Sequence, residues 1–485
     1  MIAWTIYVTF AGAIVTLLLP RISSRWLALV TAVAGFCIGL NAFFARTTDF
    51  AQFRTIVRVP WIAALGTHYH LAADGISLTM VLVTGVTAIS AVLFSWKVKE
   101  RPNEFFFWLL LVVAGSYGVF LSADLFLLFL FYELVIIPKY FLIAIWGSTN
   151  REYGAMKLTL YSFFGGVLVF IGILIIYASA GSFDLQTLAK FPFDLRTQLA
   201  AFPVLFVGFA VLAGIWPLHT WAPTGHVAAP TAGSMLLAGI VMKLGAYGAL
   251  RVALNLFPLG FFAWSKWIAL LAVIGIVYAA AVALRQKDLK FVIGYSSVSH
   301  MGFVLLGLAA GNLLGVSGAV LQMFSHGVIG ALLFALAGAI YYRTHTRYLD
   351  DLSRMHLARA MPFLAFAFVV ASAASMGIPG FSGFAAEVTI LIGVWKIFPV
   401  AVWITGIGMV LVAAFTLRAL KQTFFGEKRR SLPGHENDLP NESATLAEKL
   451  GASLLIFATL IAGLDPKLLL DRIMPAVETM RFLQR

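Results

Sequence analysis

The sequence predicts an all-α polytopic membrane protein of about fourteen transmembrane helices, and three observations predict it. First, 61% of its 485 residues are hydrophobic and 11% charged, with a mean hydropathy of +0.94, whereas soluble domains are about a quarter charged. Second, apolar stretches such as 2–19, 105–121 and 269–284 run to about twenty residues, the length that a helix rising ~1.5 Å per residue needs to cross ~30 Å of hydrocarbon. Third, no segment alternates apolar and polar residues over ten-residue units, which excludes a membrane barrel.

The apolar runs fall near 2–20, 26–45, 75–96, 105–121, 123–146, 155–180 and 201–217. They continue near 229–256, 264–284, 291–310, 315–342, 362–397 (in two pieces), 400–425 and 447–465. The first run lacks a basic flank and a small-residue cleavage site, so it is expected to be a retained helix. An even count of crossings returns the C-terminus to the side of the N-terminus.

Basic residues set the orientation. With both termini outside, the loops holding Arg21 and Arg25, Lys97 to Arg101, Arg151 and Lys157, Arg285 to Lys290, Arg343 to Arg359, and Lys421 to Arg430 all fall in the cytoplasm. Arg46, Arg54 and Arg58 are exceptions to that pattern. Spread over loops in this way, the net charge of +13 reads as topology and not as a nucleic-acid surface. The single cysteine, Cys37, excludes an intrachain disulfide and a multi-cysteine metal or iron–sulfur site. Phosphate-loop, dinucleotide and HExxH patterns are absent from the sequence, so the energy for any transport must come from elsewhere.

Two runs are interrupted in similar ways. One breaks at Trp216, Pro217 and Leu218, with Pro223, Gly225 and Pro230 following; the other breaks at Gly377, Ile378, Pro379 and Gly380. Backbone groups freed at such sites cannot be satisfied by hydrocarbon, so these segments are expected to line an enclosed, hydrated cavity. Broken helices at matching places in two halves point to two inverted five-helix repeats, each containing one broken helix. The expected divisions are 1–103 for three N-terminal helices, 104–256 and 257–425 for the repeats, and 426–485 for a polar cytoplasmic loop, a last helix and a mildly amphipathic tail suited to the membrane surface or a neighbouring subunit.

A charge at the bilayer centre costs ~2.5–3.5 kcal/mol on insertion scales, so each one kept there is a functional candidate. The candidates are Glu133, Lys139, Lys243, His300, His326 and Glu387. Glu, Lys and His are the side chains a proton path requires, because burial and neighbouring charges bring their affinities for a proton together. A static ion pair is the alternative for Glu133 and Lys243, and a hydrogen-bonded structural histidine for His300 and His326. For His219 and His226 a structural role is the better reading.

The runs 130–147 (LFYELVIIPKYFLIAIWG), 216–251, 288–307, 321–334 and 377–391 (GIPGFSGFAAEVTIL) resemble the antiporter-like subunits of respiratory complex I, the proton-pumping NADH:quinone oxidoreductase. The resemblance covers nearly the whole chain. Glu387, where the other two such chains (L and N) usually place lysine, and the lack of a long lateral helix make the chain similar to the M type. The resemblance implies that Glu133, Lys243, His300, His326 and Glu387 transfer protons, that this chain holds no cofactor, and that FMN, iron–sulfur clusters and quinone belong to partner subunits. It implies chains L and N and membrane lipids as neighbours, no nucleic acid, and a bacterial inner membrane. The same ancestry leaves two rival readings, a subunit of an Mrp-type cation/proton antiporter or of a membrane-bound hydrogenase.

Three positions depart from the family pattern. The lysine expected five residues before the proline of the PLH motif, the usual partner of the helix-five glutamate, is Leu212; Thr224 stands where aspartate is usual; and Lys139 stands where an apolar residue is usual. Lys139 is therefore expected to replace the missing partner of Glu133, although positions six apart lie roughly 120° around a helix. A non-pumping scaffold subunit is the reading that Leu212 leaves open.

Overall fold

The computed structural model describes residues 1–18, 20–45, 51–426 and 443–484. Arg46 and nearly all of the expected polar loop, with Lys428, Arg429 and Arg430, lie outside the described residues. Apolar chain in a bilayer must close its backbone hydrogen bonds internally, and the described chain is helical almost throughout. α1 (Trp4–Leu18) and α2 (Arg21–Phe44) pack with α4 (Pro102–Leu121), while α3 (Gly75–Phe94) runs through the interior. α5 (Leu125–Leu134) and α6 (Ile136–Trp146) form one crossing interrupted at Val135. Pro138 has no N–H to offer the Leu134 carbonyl, which weakens the ladder there.

α7 (Arg151–Ala180) and the single turn α8 (Leu185–Leu188) lead to the first broken crossing, α9 (Leu195–Ala213) and α10 (Trp221–Ala228). The next crossing holds α11 (Thr231–Leu236), a π-helical turn over Leu237–Val241, α12 (Met242–Gly248) and a second π-helical turn over Ala249–Leu254. α13 (Pro258–Arg285), α14 (Leu289–Ala310) and α15 (Leu313–Thr344) follow, then two short turns, α16 (Leu349–Leu352) and α17 (Leu357–Ala360). α18 (Pro362–Ser375) and α19 (Ser382–Trp395) form the second broken crossing, and α20 (Pro399–Phe424), α21 (Leu446–Leu464) and α22 (Lys467–Glu478) complete the described chain. Among the described residues twelve helical runs are long and apolar enough to span a membrane, and α1, α18 and α19 are shorter apolar helices.

Both breaks fall where proline and glycine foretell them. α9 stops at Gly214, whose φ of 68° ends the helix, and the chain resumes as α10 beyond the Trp216–Leu218 turn. α18 gives way to Gly377 and Gly380, at φ of 68° and 97°, a region that only glycine enters cheaply.

The loops gather into two ends. At one, Arg25 donates to the Trp96 carbonyl, Arg347 pairs with Asp288 at 3.2 Å and donates to the Val227 carbonyl at 3.0 Å, and Arg343 pairs with Glu448 at 2.7 Å. This basic end collects the loops that the charge rule assigns to the cytoplasm. At the other, Asn312 donates to the Gly393 carbonyl, Gln198 accepts from the Leu259 N–H, and Arg481 donates to Phe191. The two broken crossings consequently run in opposite directions: α9 starts at this second end, whereas α19 finishes there.

Two features lie outside the sequence-based expectation. A hairpin of β1 (Arg54–Ile62) and β2 (Thr67–Ala73) caps the second end, and it carries Arg54 and Arg58, two of the exceptions to the charge pattern. And α22, foreseen on the membrane surface or a neighbour, instead buries Leu469, Ile473, Ala476 and Val477 against α3 and α15 of its own chain.

The hairpin is tied down through Asp184. His70 Nδ1 lies 2.8 Å from its Oδ2, Thr187 N–H donates to its Oδ1 at 2.8 Å, and Arg58 approaches within 3.5 Å. Burial alone would raise this carboxyl, but the His70 and Thr187 hydrogen bonds outweigh it and hold Asp184 below the usual carboxylate range. A depressed folded-state value stabilises fully above the unfolded value near ~4 and is lost as pH falls through and below it. We expect Asp184→Asn to cost about 1–3 kcal/mol at neutral pH, read as faster proteolysis of the hairpin, and to abolish the extra loss that acidification causes in the unmodified protein.

Candidate functional site

Buried titratable groups are costly unless they are paired, and four of the sequence candidates lie in one line. Lys243, wholly buried, sits midway along its crossing on α12, between the two π-turns. Such turns widen a helix and recur at functional sites. The Lys243 amine folds back to donate to the Ala238 carbonyl of the first π-turn, and its Nζ lies 2.8 Å from His326 Nδ1 on α15. The His326 ring stacks on that of His300 on α14, with centroids 5.7 Å apart and planes at 29°.

His300 then meets the second break. Its Nδ1 lies 3.4 Å from Glu387 Oε1 on α19, and its Nε2 lies 3.2 Å from Ser375 Oγ at the end of α18. Gln322 Nε2 is 3.4 Å from the same Nδ1. The break makes room for the carboxylate: a Cβ at Gly377 would lie 2.7 Å from Glu387 Oε2. None of Lys243, His326, His300 and Glu387 is more than 5% exposed.

This geometry allows stepwise proton movement. A Lys243 ammonium donates towards His326 Nδ1, and transfer leaves a neutral amine beside an imidazolium, which sheds a proton from Nε2. That nitrogen has no hydrogen-bond partner among the described residues, so passage to His300 requires a water or a ring rotation. Glu387 Oε1, 3.4 Å from His300 Nδ1, is within reach as a further acceptor. A cavity of about 20 Å³ reaches Ser375 along α14, α18 and α20, and its lining includes Ser296, Ser372 and Thr416. That volume holds a water, and the hydroxyls of Ser372 and Thr416 have no protein partner to compete for it.

Glu133 and Lys139 lie apart from this line. Glu133 Oε1 is buried against α7, where a Cβ at Gly166 would approach within 2.0 Å, and it has no hydrogen-bond partner. Lys139 is 3% exposed, and its amine likewise has no partner, so the direct pair expected between the two is not made. Lys139 shares a cavity of about 10 Å³ with Leu236 and Leu237, at the start of the first π-turn, which places it on the Lys243 side of Glu133. Leu212 is fully enclosed at 1% exposure.

His226 is buried with its ring stacked on Phe334 at 4.2 Å, and His219 packs against Tyr278 and Tyr295. Gln322 and Ser375, two uncharged polar neighbours of His300, were not among the sequence candidates. Gln322 precedes His326 by one turn on the same helix face, and Ser375 immediately precedes a break; those were the available signals. Ser299 and Ser325, which the sequence places beside the histidines, bond elsewhere, to the Ile276 carbonyl and to Ser382.

Residues 122–413 match the family model described as NADH:quinone oxidoreductase/Mrp antiporter, TM. The chain is 37% identical over 471 residues to NADH-quinone oxidoreductase subunit M of Rhodobacter capsulatus, covering 94% of this chain and 90% of that one. It is 37% identical over 453 residues to NAD(P)H-quinone oxidoreductase chain 4 1 of Synechococcus elongatus, covering 92% and 84%. Among solved structures it superposes on a chain of respiratory complex I from Thermus thermophilus with a TM-score of 0.91 at 26% identity, covering the whole of both chains. A chain of the Mrp complex from a Dietzia species shares the fold, with a TM-score of 0.84 at 21% identity over 99% of this chain and 97% of that one.

Proposed function

The chain belongs to the NADH:quinone oxidoreductase/Mrp antiporter transmembrane family; on that premise we propose that it is the M-type antiporter-like subunit of a proton-pumping NADH:quinone oxidoreductase and carries protons across a bacterial inner membrane. The observation that carries this reading is the buried line of side chains from Lys243 through His326 and His300 to Glu387. Electron transfer from NADH to quinone, with its FMN and iron–sulfur clusters, takes place in partner subunits. This chain contributes the proton path.

In the cycle we propose, a change of charge beside Glu133 alters the field at Lys139 and then at Lys243. Lys243 releases its proton to His326, His300 passes it on, and Glu387 delivers it towards the exit. The opposite directions of the two broken crossings support the inverted repeats 104–256 and 257–425. Counting the α18–α19 pair as one crossing and adding α1 to the twelve long runs gives fourteen spans. The clustering of basic loops at one end supports a cytoplasmic location for that end and an outside location for both termini. Exposed apolar side chains along α7, such as Leu160, Phe164 and Val167, and along α20, such as Trp403 and Val410, suit lipid and the neighbouring L- and N-type subunits.

An Mrp-type sodium/proton exchanger is the second reading. It requires oxygen ligands for sodium near the breaks, and Glu133 and Glu387 are the carboxylates there, one of them taken up by His300. The test is to purify the tagged chain from its native membrane and assay the preparation. Co-purification with NADH:quinone reductase activity and NADH-driven proton uptake in proteoliposomes is expected. Sodium-driven proton exchange by a preparation lacking NADH oxidation would overturn the assignment.

A further inference from the structure

Lys243 is not the only buried cation on its crossing. Arg251 lies two turns further towards the hairpin end, in the second π-turn, and is 4% exposed. Its guanidinium pairs with Asp74 at 2.7 Å, and Asp74, 1% exposed, also caps α3 by accepting from the Ser77 N–H. The rings of Phe53 and Tyr247 lie 4.3 Å and 5.4 Å from the guanidinium carbon.

The space between the two cations is closed as well. Tyr247, one turn from Lys243, donates its hydroxyl hydrogen to the Phe120 carbonyl at 2.9 Å and lies 3.0 Å from Ser77 Oγ. Beyond Arg251 the segment carrying α22 is laid over the opening: Asn255 Oδ1 accepts from the Arg481 N–H, and a Cβ at Gly75 would lie 1.6 Å from the Arg472 carbonyl oxygen. Lysine amines and imidazoles relay protons, whereas a guanidinium keeps its own at any physiological pH and repels another that approaches.

We propose that the Arg251–Asp74 pair is a fixed electrostatic barrier that closes the hairpin-side route out of Lys243, so that a proton on Lys243 leaves only sideways, through His326. The barrier rests on the reading of Lys243 as a proton carrier and adds the direction of release. Asp74 holds the guanidinium in place, the rings of Phe53 and Tyr247 pack beside it, and its charge alone does the excluding. Arg251 is a positioning residue in this scheme and takes no proton itself.

The test uses the assembled complex in proteoliposomes, with an internal pH dye reporting proton entry driven by a potassium diffusion potential in the absence of NADH. Arg251→Met should raise this passive conductance about tenfold, which corresponds to a barrier lowered by ~1.36 kcal/mol, and should lower the protons pumped per electron. Arg251→Gln carries the same expectation and replaces it where methionine prevents assembly. Phe53→Ala, which loosens packing beside the guanidinium but keeps its charge, should stay as tight as the unmodified complex. Unchanged conductance in the methionine or glutamine variant overturns the barrier, as does an equal leak in Phe53→Ala, which would mark a packing defect. If Lys243→Met stops pumping while the neutral Arg251 variants remain tight, only the barrier fails; pumping that survives Lys243→Met removes both.

Discussion

Replacing Lys243 by methionine is expected to lower NADH-driven proton pumping by more than about tenfold, equivalent to a barrier raised by at least ~1.4 kcal/mol. Methionine keeps most of the lysine stem's volume, so the core around α12 stays filled. What it removes is the group that donates to the Ala238 carbonyl and to His326 Nδ1. His326 then has no proton source on the first-half side. Loss of its partner leaves that buried imidazole less satisfied, at a cost of about 1–3 kcal/mol, so subunit content must be verified alongside. Pumping is measured as acidification of inverted membrane vesicles, normalised to the rate of NADH oxidation.

The second large effect concerns the departure from the family pattern at Leu212. Lys139 and Glu133 do not bond, and the Lys139 amine and Glu133 Oε1 are each buried with no hydrogen-bond partner among the described residues. Lys139 also borders the first π-turn, and in the proposed cycle it transmits a change at Glu133 to Lys243 through the field instead of through a hydrogen bond. We expect Lys139→Met to reduce pumping about tenfold, and adding Leu212→Lys in that background to recover a substantial part of it. The recovery has an energetic ceiling, since an extra lysine in the enclosed site of Leu212 costs ~2.5–3.5 kcal/mol unless it pairs with Glu133. Pumping by Lys139→Met at the unmodified rate would assign Lys139 to structure alone.

Much of this architecture could be read from the residues because its causes are local. Apolar run length sets a crossing, and Trp216–Leu218 and Gly377–Gly380 break helices by backbone chemistry that no tertiary context repairs. Lys243, His300, His326 and Glu387 were findable singly because a charge in an apolar run is conspicuous. Their alignment was not, since it depends on how α12, α14, α15 and α19 pack.

The features that went unseen are tertiary in origin. The π-turns flank α12 in a crossing where Gly239, in the first of them, and Gly245 and Gly248, in α12, meet Thr87, Ala213 and Phe209 closely, a fit that no sequence period encodes. The hairpin lies in a stretch whose arginines read only as irregular charges, and its anchor, Asp184, is more than a hundred residues away from His70. The six-residue spacing of Glu133 and Lys139 argued against a direct bond on a regular helix, and the interruption at Val135 does not bring them together. Ser375 and Gln322 carry no charge, so burial cost could not flag them.

His326 touches both Lys243 and His300, which makes it the sharpest place to cut the line. The deciding measurement is the proton-to-electron ratio of the assembled complex carrying His326→Leu, in proteoliposomes energised by NADH. A ratio well below that of the unmodified complex, with electron transfer continuing, is the predicted result. An unchanged ratio in fully assembled complex would show that protons do not pass from Lys243 to Glu387 through this chain's interior.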